Sequence, residues 1–269
     1  MISLAVRPRS AQLAALIKAF HYHEQTLEPG LERIVPSGQA HLMVNLAEDG
    51  FRTYTGARGE RAQGHGAAVL AGPHAQAAVL DTREQQWLMA AQFRMGTAGR
   101  FFRTPMSAAG DAVVGLEELW GRDGGVLRER LLEAPTPEGK FAVLEEVLLE
   151  HLRPEADAAM SFAVAALERG MPVARVAERL GLLPRTLTRR FVQRVGLTPK
   201  RFARVRRLQR VLRRVRGPGV VDWSALAAEA GYADQAHLVH DFRDLTGLTP
   251  TGYRPQSARR SNHVRIAGD

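Results

Sequence analysis

The sequence contains no cysteine. That excludes a disulfide framework, a thiolate nucleophile and a Cys-based zinc site, and it fits a reducing compartment. An export signal is not expected either, because MISLAVRPRS puts Arg7, Pro8 and Arg9 where a signal peptide needs its apolar segment. No run approaches the ~18 apolar residues of a membrane helix. A phosphate-binding glycine loop and a nucleophile elbow are absent too. These absences predict a soluble, cytoplasmic protein with no cofactor, and they speak against an enzyme. Lysine is scarce beside arginine, a bias that a GC-rich genome also produces.

What the chain has is charge, unevenly placed. Residues 1–150 hold 15 Lys+Arg against 18 Asp+Glu, and residues 151–269 hold 22 against 10. The formal net charge of +9 is therefore +12 in the second part offset by −3 in the first. A compact basic region of this kind predicts a polyanion partner, with a solvated basic surface as the alternative.

The pattern of the chain changes near residue 115 and again near 150. Up to about residue 115, short apolar runs such as HLMVNLAEDGF, AAVLAGPHAQAAVL and WLMAAQF are punctuated by Gly and Pro, which predicts strands. From Gly115 the leucines of LEELW, VLRERLLEA and TPEGKFAVLEEVLLEHL recur at helical spacing, with Thr136 as an N-cap and Pro137 at the first helical position. The expected fold is α+β. A β-rich, cupin-like sandwich or barrel with flanking helices occupies 1–150, and an all-α domain occupies 155–256. Residues 257–269 read as a flexible tail.

The four residues GLTP occur twice, at Gly196–Pro199 and at Gly247–Pro250. In each copy they close a helix-turn-helix pattern. The first is VARVAERLGLLPRTLTRRFVQRVGLTP: Val173, Val176, Ala177 and Leu180 form a stripe, Gly181 ends the helix, and Leu187, Phe191 and Val195 mark the buried face of the next one. The second is DWSALAAEAGYADQAHLVHDFRDLTGLTP. Asp222 caps a helix that Gly231 ends, Asp234 caps the next, and Leu238, Phe242 and Leu245 face inward. Between them runs PKRFARVRRLQRVLRRVRGPG. Phe202, Val205, Leu208, Leu212 and Val215 share one face, Arg204, Arg206, Arg207, Arg210, Arg213 and Arg214 fill most of the rest, and Gly217-Pro218-Gly219 ends the helix. Those arginines are candidates for phosphate contact or for pairing with acidic neighbours. One such pattern is common among helical hairpins, but two in a domain of this charge point to DNA read in the major groove.

The paired units, the linking helix and above all GYADQAHLVHDFRDLTGLTPTGYR resemble the AraC family of bacterial transcription regulators, over about Val173 to Arg254. IVPSGQAHLMVNL, AGPHAQAAVL and QFRMGTAGRFF are similar, more loosely, to a sensor domain found in one branch of that family. The resemblance implies a sequence-specific regulator that binds double-stranded DNA, with an N-terminal domain for a small-molecule effector or for homodimer formation, and with RNA polymerase as a further partner. Its base-reading positions map onto Arg185, Thr188 and Arg189, which helix geometry also places opposite Leu187 and Phe191, with Gln193 further along. On the second helix the candidates are Gln235, Ala236, His237, Val239, His240 and Arg243. The family often has arginine where His240 stands, so weaker readout is expected there.

Other candidates are weaker. His21 and His23 share one face of a strand, but metal partners would have to come from scattered residues such as His41, His65 or His74. Trp87 and Phe93 read as core or as pocket lining. A metal-dependent enzyme fused to a DNA-binding module, and a non-specific architectural protein, are the competing readings.

Overall fold

The computed structural model describes residues 2–55, 61–154, 157–215, 221–257 and 260–266. In chain order, β1 (Ile2–Val6), α1 (Ala11–Ala14), β2 (Ile17–Glu24), β3 (Leu31–Ile34), β4 (His41–Asn45), β5 (Gly50–Thr55) and β6 (Arg61–Gly66) open the N-terminal region. β7 (Ala68–Ala71), β8 (Ala78–Asp81), β9 (Trp87–Phe93) and β10 (Val113–Gly115) complete its strands. Helices α2 (Leu116–Trp120), α3 (Arg122–Glu133) and α4 (Pro137–Glu150) follow. The C-terminal region consists of α5 (Ala158–Glu168), α6 (Val173–Arg179), α7 (Pro184–Val195), α8 (Pro199–Arg214), α9 (Trp223–Ala230), α10 (Gln235–Thr246) and β11 (His263–Arg265).

The strands form two antiparallel sheets, a six-stranded one in the order β1-β2-β9-β4-β7-β10 and a five-stranded one in the order β11-β3-β8-β5-β6. Period-two alternation decides which residues go inside. Phe20 and Tyr22 of β2, Leu42 and Val44 of β4, and Met89, Ala91 and Phe93 of β9 are buried against Leu127, Leu131, Leu144 and Leu148 of α3 and α4. His21 and His23 fall on the other face. A smaller core of Phe51, Val69 and Leu88 lies apart from that cluster. The turns at Glu48-Asp49-Gly50 and Gly72-Pro73 do not make hairpins, because each passes the chain from one sheet to the other. Thr136 caps α4 as its sequence position implies, accepting from the Gly139 N–H at 3.1 Å.

A second core fills the helical region, built from Met160, Val164, Leu187, Phe191, Phe202, Val205, Leu208, Leu226, Leu238 and Phe242 among others. Val35 and Ala75 from the β-rich region belong to it as well. So does Val264, and for residues 260–266 this corrects the reading of 257–269 as a flexible tail. β11 pairs with β3 in register His263↔Ile34 to Arg265↔Glu32 and so gives an edge strand its missing partner. Three residues are too few to leave a periodicity that the sequence reveals. Beside this strand Glu32 is 1% exposed, held by His263 at 2.9 Å, by Arg260 at 3.3 Å and by Gln256. Burial pushes the Glu32 carboxyl up, but the hydrogen bond from His263 and the charges of Arg260 and His263 outweigh it and hold the group down at about 2.

Gly217-Pro218-Gly219, read as the end of the linking helix, lies outside the described residues. Among the described residues α8 ends at Arg214, and no helix is long and apolar enough to cross a membrane.

Candidate DNA-reading surface

Local chemistry builds both helical hairpins. Gly181 and Gly231 take positive φ just past α6 and α9, and Gly196 and Gly247 do the same after α7 and α10, a conformation that costs glycine nothing. Asp222 and Asp234 accept the backbone N–H groups of Ala225 and His237 at the starts of α9 and α10. Pro184 opens α7, where its missing N–H costs no hydrogen bond.

In α7, Leu187, Phe191 and Val195 are buried. Arg185, Arg189 and Gln193 are exposed on the opposite side, with Thr188 half-buried between them. Arg185 and Arg189 stand one turn apart and have no hydrogen-bond or ion-pair partner among the described residues. Arg190 differs, because its guanidinium pairs at 2.8 Å with Asp157, which itself caps α5. In α10, Leu238, Phe242 and Leu245 are buried, while Gln235, Ala236, His240 and Arg243 are exposed and line an open hollow together with Val239. Val239 is half-buried against the core. His237 turns its ring edge-on to Tyr232, with centroids 5.2 Å apart, and Gln235 accepts from Ser224 Oγ at 3.2 Å.

Of the two roles open to the arginines of α8, contacts within the protein are made by five of the six. Arg204 Nη2 pairs with Asp241 at 2.7 Å and Asp244 at 2.6 Å, both on α10. Arg207 donates to Gly231 O at 3.0 Å with its guanidinium over the Tyr232 ring, and Arg210 donates to Ala230 O at 3.0 Å. These two bonds take carbonyls left open at the end of α9. Arg206 pairs with Glu168 of α5 at 3.0 Å, and Arg214 with Glu229 at 3.3 Å. Only Arg213 in this set is exposed without a partner among the described residues. The sequence supplies the arginines, but their acidic partners lie 15 to 40 residues away along the chain, beyond any helical period.

Among the described residues no group of three or more His, Cys, Asp or Glu is placed to hold a metal ion. His21 and His23 stack with ring centroids 6.1 Å apart, while His65 bonds Thr53 and His74 bonds the Gly72 carbonyl. Phe93 is core, and half-buried Trp87 donates to Tyr22 Oη at 2.9 Å. Burial, and then the nearby His21, Arg260 and His263, push His23 down to about 4. Burial likewise pushes His41 down to about 3, with His21, His74, His263 and Lys18 adding to it. An unfolded chain protonates these rings below about 6.5, so between pH 6.5 and 4 it binds more protons than the folded chain. Stability is therefore expected to fall as pH is lowered through that window. His23→Gln and His41→Gln should each flatten the fall by more than ~1 kcal/mol, measured by urea unfolding at pH 7 and pH 4.5. The Glu32 contribution is lost in a separate window, from about 4.5 down to about 2. An unchanged pH slope in both variants would show that the two rings titrate alike in the folded and unfolded chains.

Two hairpins, each presenting an exposed face opposite a buried apolar one, have the form of helix-turn-helix units. Residues 176–256 match the family model described as a helix-turn-helix domain, and residues 6–115 match one described as a domain of unknown function, DUF6597. The helix-turn-helix domain at the C-terminus is of the AraC type, the DNA-binding unit of a class of transcription regulators. No curated protein sequence matches the chain. Among solved structures, an apo variant of ToxT from Vibrio cholerae strain SCE256 is similar with a TM-score of 0.44 at 10% identity, over 87% of this chain and 96% of that one. A P21 crystal form of ToxT from Vibrio cholerae gives 0.42 at 10% over 84% and 97%. Wild-type ToxT bound to an unsaturated fatty acid gives 0.41 at 11% over 86% and 92%.

Proposed function

We propose that the protein is a sequence-specific cytoplasmic regulator whose α7 and α10 read adjacent major grooves on one face of the duplex, under the control of an effector acting on the N-terminal domain. The observation that carries this reading is the contrast among its arginines. Those of α8, Arg213 apart, are engaged within the protein, whereas Arg185 and Arg189 stand exposed one turn apart on the outer face of α7. Arginine in that position suits guanine O6 and N7. The outer face of α10 offers Ala236, Val239 and His240, mostly methyl contacts and one ring donor, so α7 carries the larger share of base discrimination. A homodimer and contact with RNA polymerase accompany this reading on family grounds.

The test is selection of bound sequences from random duplex DNA with the full chain, followed by competition between selected and random duplexes over a salt series. A shared two-part motif bound at least ~10³-fold more tightly than random DNA supports specific regulation. Equal affinity for both, with a steep salt slope, would identify an architectural protein instead. His240→Ala should cost less affinity for the selected site than Arg189→Ala. The reverse order would make α10 the principal reader.

A further inference from the structure

Both candidate recognition helices end on the N-terminal domain. α7 closes at Gly196, whose carbonyl oxygen would lie 2.0 Å from a Cβ built on Gly110, so the two backbones touch with no room for a side chain. A Cβ on Gly196 itself would meet Pro73 Cγ at 3.0 Å. α10 closes at Gly247. Its last carbonyls have no partner inside the helix; Leu245 O accepts from the Ala77 N–H at 2.9 Å and Thr246 O from Arg33 Nη1 at 3.2 Å. Pro73 and Ala77 belong to one short loop, residues 72–77 between β7 and β8. A single segment therefore touches the ends of both helices.

That loop is held firmly. The Gly72 N–H donates to Ala112 O at 2.9 Å, and a Cβ on Gly72 would lie 1.7 Å from Ala109 O. Asp111, the one non-glycine residue with positive φ among the described residues, donates its N–H to Pro73 O at 3.1 Å. Its Oδ1 accepts from the Ala75 N–H at 2.7 Å, and its Oδ2 pairs with Arg201 in the first turn of α8 at 2.5 Å. The loop, Asp111 and the corner between α7 and α8 are thus tied together, while the far end of the loop holds α10.

The placement of one helix against the other matters because DNA is periodic. Major grooves on one face recur every ~34 Å or ~10.5 base pairs, so each base pair shifts a half-site by ~3.4 Å and turns it by ~34°. We propose that residues 72–77, held by Asp111, together with the close approach of Gly110 to Gly196, fix the placement of α7 relative to α10 and so set the base-pair spacing between the two half-sites. Gly110 and Asp111 act as positioning residues that never touch DNA. The inference rests on the reading of α7 and α10 as base-reading helices.

The test uses the full chain and the two-part site obtained by selection. Binding is measured to that site, to versions with one base pair inserted or removed between the halves, and to a single half-site. The wild type should lose about tenfold or more on either change of spacing. Gly110→Ala keeps a backbone that alanine adopts, and the three atoms nearest its added Cβ all belong to Gly196. Asp111→Asn keeps an acceptor for the Ala75 N–H and tolerates positive φ, but it loses the charge that holds Arg201. Both variants should narrow the spacing loss to about threefold or less, by weakening at the native spacing, while single half-site affinity stays within about twofold. Variants that are folded by circular dichroism and keep the wild-type spacing profile overturn the inference. If Gly110→Ala does not fold, Asp111→Asn decides it alone. A wild type that selects no two-part site overturns the underlying reading as well, an outcome distinct from a two-part site with unchanged variants.

Discussion

Arg189→Ala is expected to lower affinity for the selected DNA site by roughly 5- to 150-fold while weakening random duplex far less. The range is the ~1–3 kcal/mol that a bidentate arginine–guanine contact contributes to discrimination against a wrong base. Arg189 is suited to that role because it is exposed and has no partner among the described residues, so presenting it to a groove breaks nothing in the fold. Its neighbour Arg190 is the internal control. Arg190 is tied to Asp157 at the start of α5, and Arg190→Ala should reduce stability and leave the ratio of specific to random affinity unchanged. Titration of both variants against both duplexes at fixed salt separates the cases. Equal losses on the two duplexes for Arg189→Ala would show that this side chain grips phosphate.

Arg204→Ala is expected to destabilise the protein by about 3 kcal/mol and to leave the salt dependence of DNA binding unchanged. The Asp241 side chain is only 5% exposed, and its ion pair with Arg204 spans α8 and α10. Removing the guanidinium leaves a buried carboxylate whose remaining cation, Arg207, stands 3.9 Å away, and an uncompensated buried charge is costly. Asp244, half exposed, contributes little to that cost. Urea unfolding measures the first expectation, and the slope of log affinity against log salt measures the second. Replacing both partners, as Arg204→Met with Asp241→Leu, should recover much of the stability, because no charge is then left buried. Arg213→Ala makes the opposite comparison. It should leave stability unchanged, and the salt slope should fall by ~1 if this exposed cation meets phosphate. A stable Arg204→Ala protein with a salt slope reduced by ~1 would give Arg204 itself a phosphate role.

The sequence by itself determined whatever depends on residues within one or two turns of each other. Asp222 and Asp234 cap helices because their side chains reach an N–H three residues on. The glycines after α6, α7, α9 and α10 end them because only a residue without Cβ takes positive φ freely. The 3.6-residue period then sorted Leu187 and Phe191 from Arg185 and Arg189, and Leu238 and Phe242 from Ala236 and His240, so both outer faces could be read before any fold was known. Only the tertiary structure decided what depends on distant partners. Nothing local tells Arg204 that Asp241 lies 37 residues away in reach, and so a helix whose arginines read equally as phosphate contacts or as ion-pair partners turns out to hold α5, α9 and α10 together. Strand order is of the same kind. Alternation marks β4 and β7 as strands but not that the chain changes sheets at Gly72-Pro73, and a three-residue β11 carries no pattern at all until β3 offers it an open edge. The contact between Gly110 and Gly196 is the extreme case, because a backbone-to-backbone approach depends on the absence of two side chains, and glycine in a sequence does not say whether it serves a turn or a neighbour.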